Sequence, residues 1–301
     1  MNTIHGLVPI LATPFLADGS LDLPGLRRLT EFQLASGVQG VAVLGMASEA
    51  FALTAVERRL ITTTVAEVVT GVVPLVAGVA ATSTVTAVEQ ATEAAAAGAD
   101  AVMVLPPYMV APSPAQLPEF YAAVAAVGPE VMVQDAPGAT GVAMSPQQLV
   151  ELSRITGVTS VKVEAPPTAP KVAAVADRID DPGFVVLGGQ NAQFLLDELA
   201  AGAVGSMPAC EIPDLLAPVL TDWQAGRYDD ARASFDRLLP LLVYGLQTGL
   251  AWAVHKEVLV RRGLIDHSTV RVPARDLDSR ARAGLAAILD RLEITSLTGS
   301  R

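Results

Sequence analysis

The stretch SPQQLVELSRITGVTSVKVE, residues 145–164, changes its periodicity halfway along. Its first half reads as a helix: Ser145 suits the N-cap, Pro146 the first helical position, and Gln148 stands three residues past the cap. Its second half, residues 158–163, is a nearly continuous β-branched run, the pattern of a strand covered on both faces. Helix and buried strand in alternation are the repeating unit of a parallel α/β sheet. Within that strand stands Lys162, one of three lysines (with Lys171 and Lys256) in a chain that otherwise uses arginine, seventeen times, for positive charge.

The same alternation runs along most of the chain. Apolar strand-like runs fall at residues 7–12, 40–44, 74–79, 101–105, 131–134, 158–163, 184–187 and 203–207. Helical patterns lie between them near 23–36, 55–69, 85–97, 114–127, 146–155, 169–178 and 192–201, several followed by a glycine such as Gly37, Gly71, Gly98 or Gly202. Eight strands alternating with helices predict a (β/α)8 TIM barrel, since eight is the number that closes. An open doubly wound sheet is the competitor, but no G-x-G-x-x-G follows the first strand. Beyond the eighth strand the chain stays helical to about residue 292, too far for one closing helix. The expected organisation is a barrel over residues 1–213 and a C-terminal helical appendage of about three helices over 214–301, packed on it.

Composition narrows the functional classes. Hydrophobic residues make up 51% and charged ones 17%, which excludes a disordered chain. A net charge of −11 argues against nucleic acid or anionic membranes as partners. The lone Cys210 excludes an internal disulfide framework and any multi-cysteine metal site. The opening MNTIHGLVPILATPF shows no basic region and no cleavage pattern. Two charge-free stretches, 68–88 and 238–254, are interrupted by Gly71, Pro74 and Gly78, and by Pro240, Gln247 and Thr248. A soluble, cytoplasmic protein is expected, with 238–254 as a buried or subunit-facing helix.

In such a barrel, function gathers on the loops after the strands' C-terminal ends. Side chains alternate along a strand, so Lys162 and Glu164 share a face if the strand persists, while Val161 and Val163 face the helices. Desolvation disfavours a charged amine, and a neutral amine attacks a carbonyl carbon to form a Schiff base. Position alone leaves a second reading open, an ion pair that merely satisfies two polar groups.

Further marks run the length of the chain: TPF at 13–15 with Asp18-Gly19, a Gly-x-x-x-Glu turn at 45–49, GADAVMVLPPY, APGATG, VKVE, Gly188-Gly189, and RVP at 271–273. In this order and spacing they resemble the dihydrodipicolinate synthase / N-acetylneuraminate lyase superfamily of class I aldolases. The resemblance implies that Lys162 forms the Schiff base with pyruvate or another 2-oxo acid. It also implies no metal, no cofactor beyond that covalent imine, and a homo-oligomer, dimer or tetramer. Tyr108 matches a tyrosine that in some members reaches a neighbouring subunit's site.

Departures from the family pattern are equally informative. The usual Gly-Thr/Ser-Thr-Gly-Glu reads Gly45-Met46-Ala47-Ser48-Glu49, and the usual Tyr-Asn-x-Pro reads Gln134-Asp135-Ala136-Pro137. Glutamine cannot replace tyrosine as an acid or base. The arginine that many synthases use for a second carboxylate matches Ala139, so the usual step of lysine biosynthesis is not expected. Carboxylates at the mouth, namely Glu164 first, then Glu211 and Asp135, are candidates for the missing proton transfer. Glu49 reads better as a brace of its turn. Ser48, Ala47, Gln134, Gly189, Glu211 and Tyr108 form the expected substrate-binding set. Cys210 reads as a small buried hydrophobe, and His5, His255 and His267, at the amino end and in the appendage, are set aside as catalytic candidates. Met46, Ala47 and Ala139 suggest a substrate less polar than an amino-aldehyde acid or a sialic acid.

The reading is a Schiff-base-forming lyase of the aldolase type acting on a 2-oxo acid. Its alternative is a 2-keto-3-deoxy acid dehydratase or hydratase-aldolase on the same imine. A barrel that binds small molecules without catalysis is the rival from another class.

Overall fold

The computed structural model describes residues 4–297. Residues 1–3 of the opening stretch and 298–301 of the expected extension lie outside them. Eight strands, β1 (Gly6–Leu7), β2 (Val41–Val43), β3 (Leu75–Val79), β4 (Ala101–Val104), β5 (Glu130–Asp135), β6 (Val158–Val163), β7 (Val185–Gly188) and β8 (Gly205–Ser206), form one parallel sheet. They pair in the order β1-β8-β7-β6-β5-β4-β3-β2. Ile10, just past β1, bridges both Ala42 of β2 and Ala209 beyond β8, and the amide of Leu11 donates to the Ala42 carbonyl at 2.8 Å. These contacts join the two ends of the sheet into a closed (β/α)8 barrel.

Strand alternation divides the core in two. Val8, Ile10, Val76, Met103, Met132 and Met207 fill the inside of the barrel. Val43, Ala77, Val104, Val133, Val161 and Val163 point the other way, into the larger core beneath the helices. Val161 and Val163 are fully buried there, which leaves Lys162 on the inner face, as the alternation requires.

The helices α1 (Leu23–Ala35), α2 (Ala55–Val69), α3 (Thr84–Ala96), α4 (Gln116–Ala125), α5 (Pro137–Thr140), α6 (Pro146–Leu152), α7 (Thr168–Ala176) and α8 (Leu195–Ala200) connect the strands. The cap read at Ser145 forms: its hydroxyl accepts from the Gln148 amide, and Gln148 Oε1 accepts from the Ser145 amide. Thr54 and Glu57 close the same reciprocal box on α2. Four helices follow β8: α9 (Pro213–Gln224), α10 (Tyr228–Tyr244), α11 (Ala251–Arg261) and α12 (Ser279–Arg291). α9 packs on β1 and so closes the barrel, although all but its first residue lies within the 214–301 expected as appendage; α10–α12 follow it.

Three sequence expectations need adjustment. The first strand is shorter than 7–12 because Pro9 has no N–H to give to a ladder. The helix expected from 192 begins only at Leu195, because Gln190, Asn191 and Ala192 take left-handed backbone angles in a 3-10 turn. The charge-free stretch 238–254 spans the end of α10 and the start of α11, where Leu241, Leu242, Ala253 and Val254 are buried in the chain's own core. Its apolar character is therefore used largely within the chain. No helix among the described residues is long and apolar enough to cross a membrane.

One ion pair fastens the appendage to the barrel mouth. Glu49 and Lys256 pair with both side chains fully buried. Glu49 Oε2 also accepts from the Arg271 amide at 2.9 Å, and Lys256 Nζ donates to the Thr269 carbonyl at 2.8 Å and lies 4.1 Å from the Phe15 ring centroid. Burial lowers Lys256 to about 8, against the pull of the Glu49 charge. Breaking such a pair leaves one charge buried alone, so Lys256→Met should lose about 3–5 kcal/mol of stability. Adding Glu49→Gln to that variant should return most of the loss, and urea titration of the two proteins checks both values.

Candidate active site

Lys162 ends the inner face of β6, and its side chain is 1% exposed. Its Nζ lies 3.0 Å from Glu164 Oε1. Although Glu164 follows the last residue of β6, its amide donates to the Asp135 carbonyl at 2.9 Å, so the ladder continues and both side chains keep one face. Gln134 of β5 is the register partner of Lys162, and its Nε2 donates to Glu164 Oε2 at 2.7 Å. The Gln190 side chain donates to the Glu164 carbonyl at 2.7 Å, and the Gln190 amide reaches Oε1 at 3.3 Å. Gly189 makes room for this arrangement: a Cβ there would stand 2.4 Å from Glu164 Cγ. The carboxylate is therefore held on both oxygens and aimed at the lysine.

Lys162 and Glu164 line a cleft of about 230 Å³. Its barrel wall carries Ala47, Gln190 and Asn191, and its roof is the α10–α11 turn with Trp252 and His255. Trp252 is fixed by donating Nε1 to the Met46 carbonyl at 2.6 Å. A neighbouring, more apolar cavity of about 320 Å³ shares Met46 and Trp252 and holds Phe51, Tyr108, Gln134 and Ala139.

The other expected residues divide. Ala47 faces the cleft, but Ser48 does not line it: its hydroxyl donates to the Leu11 carbonyl at 2.6 Å, while Thr13 donates to the Ser48 carbonyl at 2.6 Å. Ser48 thus braces the turn against the segment that follows β1. Glu49 is the buried anchor already described. Asp135 alternates with Gln134 and so leaves the inner face; its Oδ2 lies 2.5 Å from Lys171 Nζ on α7, and it lines neither cavity. Burial raises its carboxyl, opposed by the Lys171 hydrogen bond. This placement corrects the expectation of Asp135 as a proton-transfer group at the mouth. Tyr108 belongs to the apolar cavity and not to the lysine cleft. Cys210 is fully buried, and burial pushes its thiol up to about 12, which makes it inert.

Glu211 is buried behind the cleft wall with Oε1 2.8 Å from His255 Nδ1. Burial works to raise its carboxyl, but the charge and hydrogen bond of His255 outweigh that and hold it lower. His255 itself, set aside on sequence because it lies in the appendage, lines the cleft with Lys162 and Glu164. The sequence held no signal for it, since which face of α11 meets the barrel is a matter of packing. Asn191 was missed for a related reason: its left-handed backbone interrupts the helical pattern read there.

A parallel barrel with a lysine buried on β6 beside an oriented carboxylate, at the strands' C-terminal ends, defines a barrel enzyme with an amine–acid site. The chain belongs to the dihydrodipicolinate synthetase family, whose model matches residues 3–292, and it is an enzyme of the lyase class. It is 36% identical over 299 residues to the L-2-keto-3-deoxyarabonate dehydratase of Azospirillum brasilense, covering 96% of this chain and 94% of that one. Its fold matches the dihydrodipicolinate synthase of Rhodopseudomonas palustris with a TM-score of 0.90 at 29% identity, over 97% of this chain and 98% of the other. A prophage protein of the same family from E. coli K12, solved in complex with pyruvate, matches with a TM-score of 0.89 at 26% identity, over 97% and 99% of the two chains.

One buried carboxylate stands just outside the site. Glu198 of α8 is fully buried against Gly188, and burial, aided by the charge of Glu164, pushes it up to about 7 from an ordinary 4.5. Between those values the folded chain holds a proton that the unfolded chain has released, so stability falls as pH rises from 4.5 to 7 and levels off above it. The fall attributable to Glu198 should be about 3 kcal/mol. Glu198→Gln should remove it, read as the difference between the two proteins' unfolding free energies across that range.

Proposed function

We propose that this lyase works through a Schiff base on Lys162 with a 2-oxo acid, and that its reaction is the removal of water from a 2-oxo-3-deoxy sugar acid. The carrying observation is the Lys162–Glu164 contact of 3.0 Å on the wall of a cleft of about 230 Å³. The dehydratase relative at 36% identity favours loss of water over aldol cleavage. So does the chemistry of the site, where Gln134 stands in place of the tyrosine and can only hold Glu164, never carry its proton.

In this reading the Lys162 amine attacks the C2 carbonyl, and the resulting imine withdraws electrons from C3. Glu164 takes a proton from C3, and the C3–H pair becomes an enamine. The enamine expels the C4 hydroxyl, and hydrolysis of the remaining imine frees the lysine and the product. The apolar cavity beside the cleft suits the hydrocarbon parts of a substrate better than a second carboxylate, in keeping with Ala139 where many synthases have arginine.

The test is trapping. Incubation with pyruvate and sodium borohydride should add the mass of the reduced adduct to the parent protein and none to Lys162→Ala. Glu164→Gln should still trap pyruvate, while exchange of its methyl protons with deuterium slows by about 10²–10⁴. Absence of any adduct with pyruvate or longer 2-oxo acids would mean a barrel that binds without forming an imine. Release of pyruvate from a 2-keto-3-deoxy acid would replace the dehydratase with an aldolase.

A further inference from the structure

Loss of water needs two proton transfers, one from C3 and one to the departing oxygen. Glu164 serves C3 in the reading above, and Lys162 is occupied by the imine. The residues lining the cleft are otherwise apolar side chains, glycines, amides, one threonine and Trp252, with one exception. That exception is His255. We infer that His255, oriented by Glu211, gives the proton to the hydroxyl that leaves in this cleft; the inference rests on the Schiff-base dehydratase reading.

The geometry around the ring supports this role. Glu211 Oε1 engages Nδ1 at 2.8 Å, and among the described residues the ring makes no other hydrogen bond, so Nε2 is the nitrogen left for a ligand. Glu211 is itself anchored, with its carbonyl accepting from Arg262 Nη1 at 2.6 Å and Arg262 held in turn by Asp214. A carboxylate behind a histidine fixes the tautomer and stabilises the imidazolium form, which is what a proton donor requires. Gly245 of the α10–α11 turn lets the chain pass close to the ring, for a Cβ there would stand 2.8 Å from His255 Cε1. Asn191, beside it, is tied to the backbone: its Nδ2 donates to the Leu242 carbonyl at 3.1 Å and its Oδ1 accepts from the Ala209 amide at 3.0 Å. A purely structural tie between β8 and α11 would have no need to place the imidazole on the cleft wall.

The step balances without any co-reactant. The C3 proton passes to Glu164 and its electron pair flows towards the imine nitrogen, giving the enamine. That pair then returns, the C4–O bond breaks with its electrons on oxygen, and the Nε2 proton of His255 joins the oxygen to leave as water. A C3=C4 double bond conjugated with the imine remains. The proton collected by Glu164 and the one spent by His255 cancel through solvent, so one molecule of substrate loses one molecule of water.

The experiment compares three rates in the intact parent protein and in His255→Gln. They are borohydride trapping of pyruvate, deuterium entry into the pyruvate methyl group, and water loss from the two enantiomers of 2-keto-3-deoxypentonate. The variant should trap and exchange within about threefold of the parent, while kcat for water loss falls by about 10²–10⁴ with little change in KM. Glu211→Gln, a positioning variant, should lower kcat by about tenfold and add nothing to the loss already caused by His255→Gln. Water loss by His255→Gln within a few-fold of the parent would overturn the inference, as would an equal fall in all three rates, which marks a structural role. No water loss by the parent from either enantiomer, or cleavage to pyruvate in its place, would overturn it too. Failure of the parent to trap pyruvate would instead remove the imine reading itself, a distinct result.

Discussion

The buried pair between Glu49 and Lys256 is the constraint on which the site is built. Both charges are withdrawn from water, so neither can be given up without leaving the other stranded. Glu49 belongs to the turn after β2 and Lys256 to α11; their contact, with the Arg271 amide on the remaining oxygen, holds the appendage over the barrel mouth. Trp252 and His255 ride on the same helix as Lys256. The cleft therefore has a floor made by the barrel and a roof made by the appendage, joined by this pair together with Arg271–Glu57 and the Trp252–Met46 hydrogen bond.

The three lysines of the chain divide one chemistry among three settings. Lys162 meets Glu164 in the cleft, Lys171 meets Asp135 beneath the helical layer, and Lys256 meets Glu49 under the appendage. Each pairs an amine with a carboxylate near the C-terminal end of the barrel. Among the described residues the first pair lines the cleft, and there the carboxylate is held on its second oxygen by the Gln134 amide side chain. The three pairs differ in access and orientation, not in residue type.

Much of the fold was legible in the chain because two periods, near 2 and near 3.6, are imposed by backbone geometry and survive in every βα unit. The cap at Ser145 is a local device and was read correctly from three residues. Errors arose where local rules met a distant partner: the helix expected at 192 was delayed by the left-handed residues 190–192, of which Gln190 and Asn191 line the cleft. In the site, Lys162 and Glu164 were legible by alternation, whereas Ser48 and Asp135 were not. A loop position or an inward-seeming strand residue does not say which carbonyl or lysine its side chain will find.

By itself the sequence determined a closed parallel barrel, the inward face of its sixth strand, and a lysine with a carboxylate two residues on. Those follow from short-range periodicity, which no later packing reverses. Only the tertiary structure decided that Gln134 holds Glu164, that Asp135 turns away, and that His255, more than ninety residues from Lys162, forms part of the same cleft. These depend on the register between strands and on how α11 docks, and both are set by burial summed over the whole molecule.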